Sequence, residues 1–346
     1  MTGMPRPTIR DVARAAGVHP GTASRALDPA RDGRVTPETA RRVREAADRL
    51  GYVPDQFGRG LRTGRSQLIG VLVPDLGNPV FPPILRGIEE TLRAAGYEAV
   101  IASTDDRVDR ERDLLETLRL RGADGFIIAS SRREDPAVAA LVASTGAVVL
   151  VNRLVDPAVG TERGADSVAS DDDAGVAAAV RHLVGLGHRT IAHVSGPEEL
   201  SMTTVRRAAF ERAVRDAGLD PRDCPVVEAG RYAAEEGERA AARLFDAHAP
   251  TAVIAGNDMI AVGCYAELRR RGLRCPDDVS VIGVNDMPLA GFLDPPLTTV
   301  AIPQYDIGAA AAELVLGRIT HRDRAPVSRI LPTRLVVRGS TAAPPR

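Results

Sequence analysis

From Leu68 onward, short apolar runs alternate with segments whose apolar residues recur every three or four positions. The runs at 68–73, 98–103, 125–129 and 147–152 predict strands, and 81–95, 109–121 and 136–143 predict amphipathic helices between them. Pro74-Asp75 ends the first run and Gly96 closes the first helix. The rhythm then repeats, with helices at 174–185, 203–217, 233–247 and 260–271 and strands at 190–195, 252–255 and 280–284. Strands spaced by helices of this length predict parallel sheets covered on both faces. Two successive halves of this kind predict two lobes with a cleft between them.

The first sixty-odd residues follow another pattern. In TIRDVARAAGVHPGTASRAL (8–27), Thr8 can cap a helix and Asp11 can answer it as in a capping box. Ile9, Val12, Ala13 and Ala16 share one helical face, and Gly17 breaks the helix. His19-Pro20 restarts it, because proline suits a first helical position. A second helix over 20–27 turns Ala23 and Leu27 inward and Thr22, Ser24 and Arg25 outward. Two short helices joined by a glycine turn predict a helix-turn-helix, with a plain helical hairpin as the alternative. Thr36-Pro37-Glu38 starts a third helix that Gly51 ends, burying Val43, Ala47 and Leu50.

These segments, in this order, resemble the lactose-repressor (LacI/GalR) family of bacterial transcription regulators. The matching stretches are TIRDVARAAGV, TASRAL, VTPETARRVREAADRLGYVP, GRGL, IGVLVPDLGNPVF, LGHRTIAHVSGP, AGNDMIAVG, VSVIGVND, PPLTTV and LPTRLVVRGST, from about Thr8 to Thr341. The resemblance implies an all-α helix-turn-helix head over 1–52, a hinge helix or linker over 53–66, and an α/β body over 67–341. That body is two-lobed and periplasmic-binding-protein-like, with parallel sheets and three chain crossings between lobes. The first lobe would take about 67–168 and 300–325, the second about 169–299 and 326–341. The implied function is that of a repressor binding a pseudo-palindromic operator as a homodimer, switched by a small effector in the cleft.

Charge supports a nucleic-acid partner. Residues 1–65 hold 13 Arg against 7 Asp and Glu, a net of +6, and the remainder nets -7. A basic head on an acidic body is the footprint of a DNA-reading module carried by a sensor. No apolar run approaches the roughly 20 residues of a membrane span, and no export signal is visible, which predicts a cytoplasmic protein. Cys224, Cys264 and Cys275 have no metal-ligand spacing and read as reduced thiols. No GxGxxG after a strand, phosphate loop, GxSxG or HExxH is present, so neither an enzyme nor a cofactor is expected. His188 reads as a turn-orienting residue, and 171–173, three aspartates, as a helix start rather than a metal site. After Thr341 only AAPPR follows, which predicts a dimer rather than a dimer of dimers.

The DNA-facing residues carried over by resemblance are Thr8, Pro20, Gly21, Thr22, Ser24, Arg25 and Tyr52, with Arg59 and Leu61 from the hinge. Arg25 can bond guanine O6 and N7 together, or clamp a phosphate; the base contact is the expectation. Pro20 and Gly21 stand where the family carries much of its base specificity, and neither side chain can hydrogen-bond. His19 also replaces the usual serine. Leu61 matches the leucine that wedges into the minor groove, while Gly58 and Gly60 predict a hinge that orders only on DNA. The effector-facing residues are Asn78, Phe81, Asn152, Arg206, Asn257 and Asn285. Amides and an arginine suit a hydroxyl-rich ligand, a sugar first and a nucleoside-like metabolite second. Asn285 replaces a usual aspartate, and Ile302 a frequent glutamine. With no tryptophan present, ring stacking falls to Phe81, Phe210 or Phe292, of which Phe210 suits the core.

Overall fold

The computed structural model describes residues 7–27, 35–52, 65–155 and 164–345, and the chain divides between Ser66 and Gln67 into two units. In the first unit, α1 (Ile9–Ala16), α2 (Pro20–Ala26) and α3 (Pro37–Leu50) pack around Val12, Ala13, Ala16, Ala23, Val43 and Ala47. Gly17 adopts φ 63°, the left-handed C-cap that a Cβ would oppose. The Thr8 N–H donates to the Asp11 carboxylate at 2.9 Å, and the Arg42 guanidinium donates to the Ala16 carbonyl at 2.8 Å, tying α3 to the end of α1. Helix α2 stops one residue short of the expected end, with Leu27 half-buried against the same core.

The second unit contains, among its described residues, two six-stranded sheets. The first joins β1 (Leu68–Val73), β2 (Glu98–Ser103), β3 (Gly125–Ile128), β4 (Val148–Val151), β5 (Asp166–Ser170) and β11 (Ser328–Leu331) in the order β11-β5-β4-β3-β1-β2, every pair parallel. Helices α4 (Phe81–Ala94) and α11 (Gln304–Thr320) cover one face; α5 (Val108–Leu120) and α6 (Pro136–Thr145) cover the other. Being buried on both sides, strands such as LIGVLV and GFII are continuously apolar.

The second sheet runs β12-β10-β9-β8-β6-β7, with β6 (Ile191–Ser195), β7 (Val226–Glu228), β8 (Ala252–Ala255), β9 (Ser280–Asn285), β10 (Thr298–Ala301) and β12 (Arg334–Val336). Helices α7 (Asp172–Gly185) and α8 (Ser201–Asp216) pack on one face, α9 (Ala234–Ala247) and α10 (Asp258–Arg270) on the other. The chain passes between lobes after β5, after β10 and after β11, each time from a strand's C-terminal end. Both sheets therefore turn their C-terminal ends toward one seam, the place where parallel α/β sheets hold ligands.

Three details differ from expectation. Residues 328–331, assigned to the second lobe, belong to the first: β11 pairs with β5. Its anchor is the buried Asp166 carboxylate, which accepts the Val327 N–H at 2.8 Å and the Arg318 guanidinium at 2.6 Å. Strand β12 pairs antiparallel with β10, so the second sheet is mixed at one edge. Strands β5, β7 and β10 were not among the predicted runs; unlike the equally short β3, β4 and β8, each carries polar residues that break the apolar run.

Candidate functional site

The head presents the outer face of α2. Gly21 and Arg25 are exposed, and Pro20, Thr22 and Ser24 are half-buried. In the free head Arg25 lies along its own helix: Nε donates to the Gly21 carbonyl at 3.0 Å and Nη2 to the Thr22 hydroxyl at 3.4 Å. These partners share one turn, so the guanidinium can leave them for another acceptor without unfolding the helix. The two departures at 19 and 21 form one feature. His19 Nδ1 accepts the Gly21 N–H at 3.1 Å, and a Cβ at 21 would lie 3.3 Å from that nitrogen. The imidazole supplies the helix cap that serine supplies elsewhere, and glycine leaves room for it. Thr8 is exposed, and Tyr52 is half-buried against the head core. Arg59 and Leu61, with the hinge glycines Gly58 and Gly60, lie outside the described residues.

In the body, Asn152, Asn257 and Asn285 sit at or just past strand ends, with unequal freedom. Asn152 follows β4 at φ 57°, and Asn285 ends β9 at φ 115°. Left-handed conformations in residues other than glycine cost energy and gather at functional sites. The Asn152 Oδ1 is buried with no hydrogen-bond partner among the described residues. Asn257 caps α10 through its Oδ1, which accepts the Ile260 N–H at 2.8 Å. Asn78 spends its Oδ1 on the Val80 N–H at 3.2 Å.

Arg206 is 2% exposed, with Nη1 donating to the Gly256 carbonyl at 2.7 Å and Nη2 to Asp172 at 3.0 Å. Both terminal nitrogens are therefore engaged, and Nε lacks a partner among the described residues. Asp172 neutralises the guanidinium, so Arg206 is not a free cation. The other two aspartates are also engaged: Asp171 caps α7 by accepting the Ala174 N–H at 3.0 Å, and Asp173 pairs with Arg212. No group among the described residues has the make-up of a metal site.

The turn after β9 is fastened from below by Asp258. Its carboxylate accepts the Met287 N–H at 2.7 Å and the Thr299 hydroxyl at 2.6 Å, and burial pushes it up to about 7. Asp286, adjoining Asn285, is committed to Arg338 at 2.7 Å and does not replace the missing aspartate. Gln304 donates to the Asn285 carbonyl at 2.7 Å, two residues beyond Ile302, which is buried in the first-lobe core.

The aromatic residues divide. Phe81 is buried in the first-lobe core. Phe210 is core, as expected, its ring 5.2 Å from His193, and Phe292 is 86% exposed. The ring sequence reading missed is Tyr232, just past β7. It packs against Gly196 and Gly256, where a Cβ at 196 would come within 2.3 Å of the ring, and its hydroxyl meets Thr203 at 2.8 Å. The signal was two glycines at the ends of β6 and β8, which only the fold brings to one tyrosine. His188 fastens the C-terminal segment, bonding Thr251 at 2.8 Å and the Ala342 carbonyl at 2.9 Å.

Comparison with known proteins places both units. The model for bacterial regulatory proteins of the lacI family matches residues 8–55, and that for a periplasmic binding protein-like domain matches 180–341. The HTH-type transcriptional repressor CytR of Escherichia coli (strain K12) is 33% identical over 341 residues, 98% of this chain and 97% of that protein. The solved Lac repressor dimer bound to operator and the anti-inducer ONPF matches with TM-score 0.84 and 25% identity, over 98% of this chain and 100% of that one. The transcriptional regulator CelR–cellobiose complex matches with TM-score 0.72 and 29% identity, over 97% and 100%.

Proposed function

Since the chain belongs to the lacI family of bacterial regulatory proteins, we propose that it is a repressor that grips a pseudo-palindromic operator as a homodimer and is switched by a neutral, hydroxyl-rich ligand in the seam of its body. The head would read DNA through Arg25, with Thr8, Pro20, Gly21, Thr22, Ser24 and Tyr52 beside it and Arg59 and Leu61 in the hinge. Asn152, Arg206, Asn257 and Asn285 would meet the ligand, with Asn78 at the margin. Tyr232 replaces Phe81 as the ring beside it.

The observation that carries the ligand class is the state of Arg206. A guanidinium already neutralised by Asp172 and tied to a carbonyl gains less from a carboxylate or phosphate than a free one would. It can still donate one hydrogen bond through Nε, and Asn152 can accept one through Oδ1, which matches a hydroxyl group's paired needs. The CelR structure, solved with cellobiose, supports a sugar over a nucleoside.

Ligand binding that differs between DNA-competent and DNA-incompetent dimers couples the two sites. A thermal-shift screen of the full-length protein against cellobiose, ribose, other neutral sugars, sugar phosphates and nucleosides tests the reading. A ligand at about 100 times its dissociation constant stabilises the folded state by about 2.7 kcal/mol. Stabilisation by a neutral sugar is expected; stabilisation by phosphorylated or nucleoside ligands alone would displace the sugar reading.

A further inference from the structure

Helix α2 and the turn before it expose few side chains able to form a hydrogen bond. Across residues 18–27, His19, Gly21 and Arg25 are exposed, and the others are half-buried or buried. Glycine has no side chain, so the exposed hydrogen-bonding side chains of this stretch are His19 and Arg25. Both hold the backbone of the same residue. His19 Nδ1 accepts the Gly21 N–H at 3.1 Å, and Arg25 Nε donates to the Gly21 carbonyl at 3.0 Å. The imidazole and the guanidinium therefore flank a residue that has no side chain of its own.

The cap also fixes which ring nitrogen carries the proton. A backbone N–H can only donate, so Nδ1 offers its lone pair, and the proton of the neutral ring is on Nε2. A serine cap spends its short side chain on the helix. The imidazole spends one nitrogen and keeps the other, an N–H donor on the far side of the ring. Gly21 is the condition for this arrangement: a Cβ there would lie 3.3 Å from Nδ1 and 3.7 Å from Cε1, pressing on the ring.

We propose that His19 is a second base-reading residue of the head, donating through Nε2–H to an acceptor on the base edge beside the one that Arg25 contacts. The inference rests on the DNA-binding reading above. Such a donor pairs with guanine O6 or N7, adenine N7 or thymine O4, and rejects cytosine, whose major-groove edge offers only its N4 amino donor. A base suits it better than a phosphate, because a neutral ring brings no charge to the contact. The N-terminal residues of a recognition helix are also the ones that meet base edges. Position 21 thus contributes to specificity by being empty.

Selection from a random duplex library by the full-length protein, followed by rebinding with variants, tests this. His19→Ser keeps a cap through its hydroxyl and removes the ring donor. One position per half-site is expected to lose its preference by about two- to tenfold, the worth of one hydrogen bond. The position that Arg25→Ala relaxes stays selected, and the salt dependence keeps its slope, because a neutral ring displaces no counterion. His19→Gly, which a cap position tolerates nearly as well, gives the same pattern and decides the matter if His19→Ser does not fold. Equal weakening of every sequence, with a slope smaller by about one per head, makes His19 a phosphate contact and overturns the inference. Preferences unchanged at every position overturn it as well, leaving the ring a cap alone. A wild type that binds no duplex overturns the DNA-binding reading and this inference with it, whereas the two preceding results overturn this inference only.

Discussion

Arg206 and Asp172 are the residues on which the second lobe's end of the seam depends. Each is almost wholly buried, and each is the other's only counter-charge among the bonds described. Removing one partner of such a pair leaves a charge stranded in low dielectric, at a cost of about 3–5 kcal/mol. Asp172→Ala is therefore expected to lower the unfolding free energy of the body by that amount, measured by urea unfolding followed by circular dichroism, whereas substituting exposed Asp173 should change it by under about 1 kcal/mol. At this scale the sequence was legible where chemistry and position coincide. Asn152, Asn257 and Asn285 stand at strand ends as read, although Asn257 also serves as the cap of α10. Aromatic residues were less legible, because a ring's side of a helix or loop depends on tertiary packing. Phe81 follows Asn78 by three residues yet turns into the core, while Tyr232 is brought to the seam floor by two glycines distant in sequence.

Strand β2 ends the first sheet and leaves two apolar side chains, Val100 and Ile101, exposed on successive positions. An open edge of this kind invites pairing or burial by another chain, and natural proteins seldom leave it apolar without use. A second copy is the occupant that the proposed dimer supplies. Val100→Lys combined with Ile101→Lys is expected to convert the dimer to monomers in sedimentation velocity. Because both side chains are already exposed, the far-ultraviolet spectrum and the unfolding midpoint should change little; a variant that stays dimeric would move the interface elsewhere. Apolar runs and helical periods were readable here: β1, β3 and β4 from continuous apolar runs, α4 and α9 from their period. Short strands interrupted by polar residues were not, and the swap at the C-terminus shows why. Residues 328–331 and 334–336 are two short strands in different sheets, and only the Asp166 cluster assigns the first of them to its lobe.

Across the whole chain, the charge division between head and body separates affinity from specificity. A head with a net of +6 draws any duplex to it, and an acidic body with a net of -7 does not add to that attraction. Affinity for random duplex should accordingly fall by about 10³-fold or more between 50 and 200 mM salt if a dimer makes about six or more phosphate contacts. Arg25 is not needed for most of that slope. Its guanidinium rests on Gly21 and Thr22 of its own helix, ready to exchange those two bonds for the paired acceptors of a guanine. Sequences selected from a random library by the wild type should therefore lose their preference when rebound by Arg25→Ala, at about 1–3 kcal/mol per half-site, with the salt slope kept. A phosphate clamp makes the opposite signature: every sequence weakens equally and the slope shrinks by about one per head. With Pro20 and Gly21 unable to hydrogen-bond, the first outcome would make Arg25 the principal reader of the half-site. The second would leave discrimination to His19, Thr22 and the shape of the DNA.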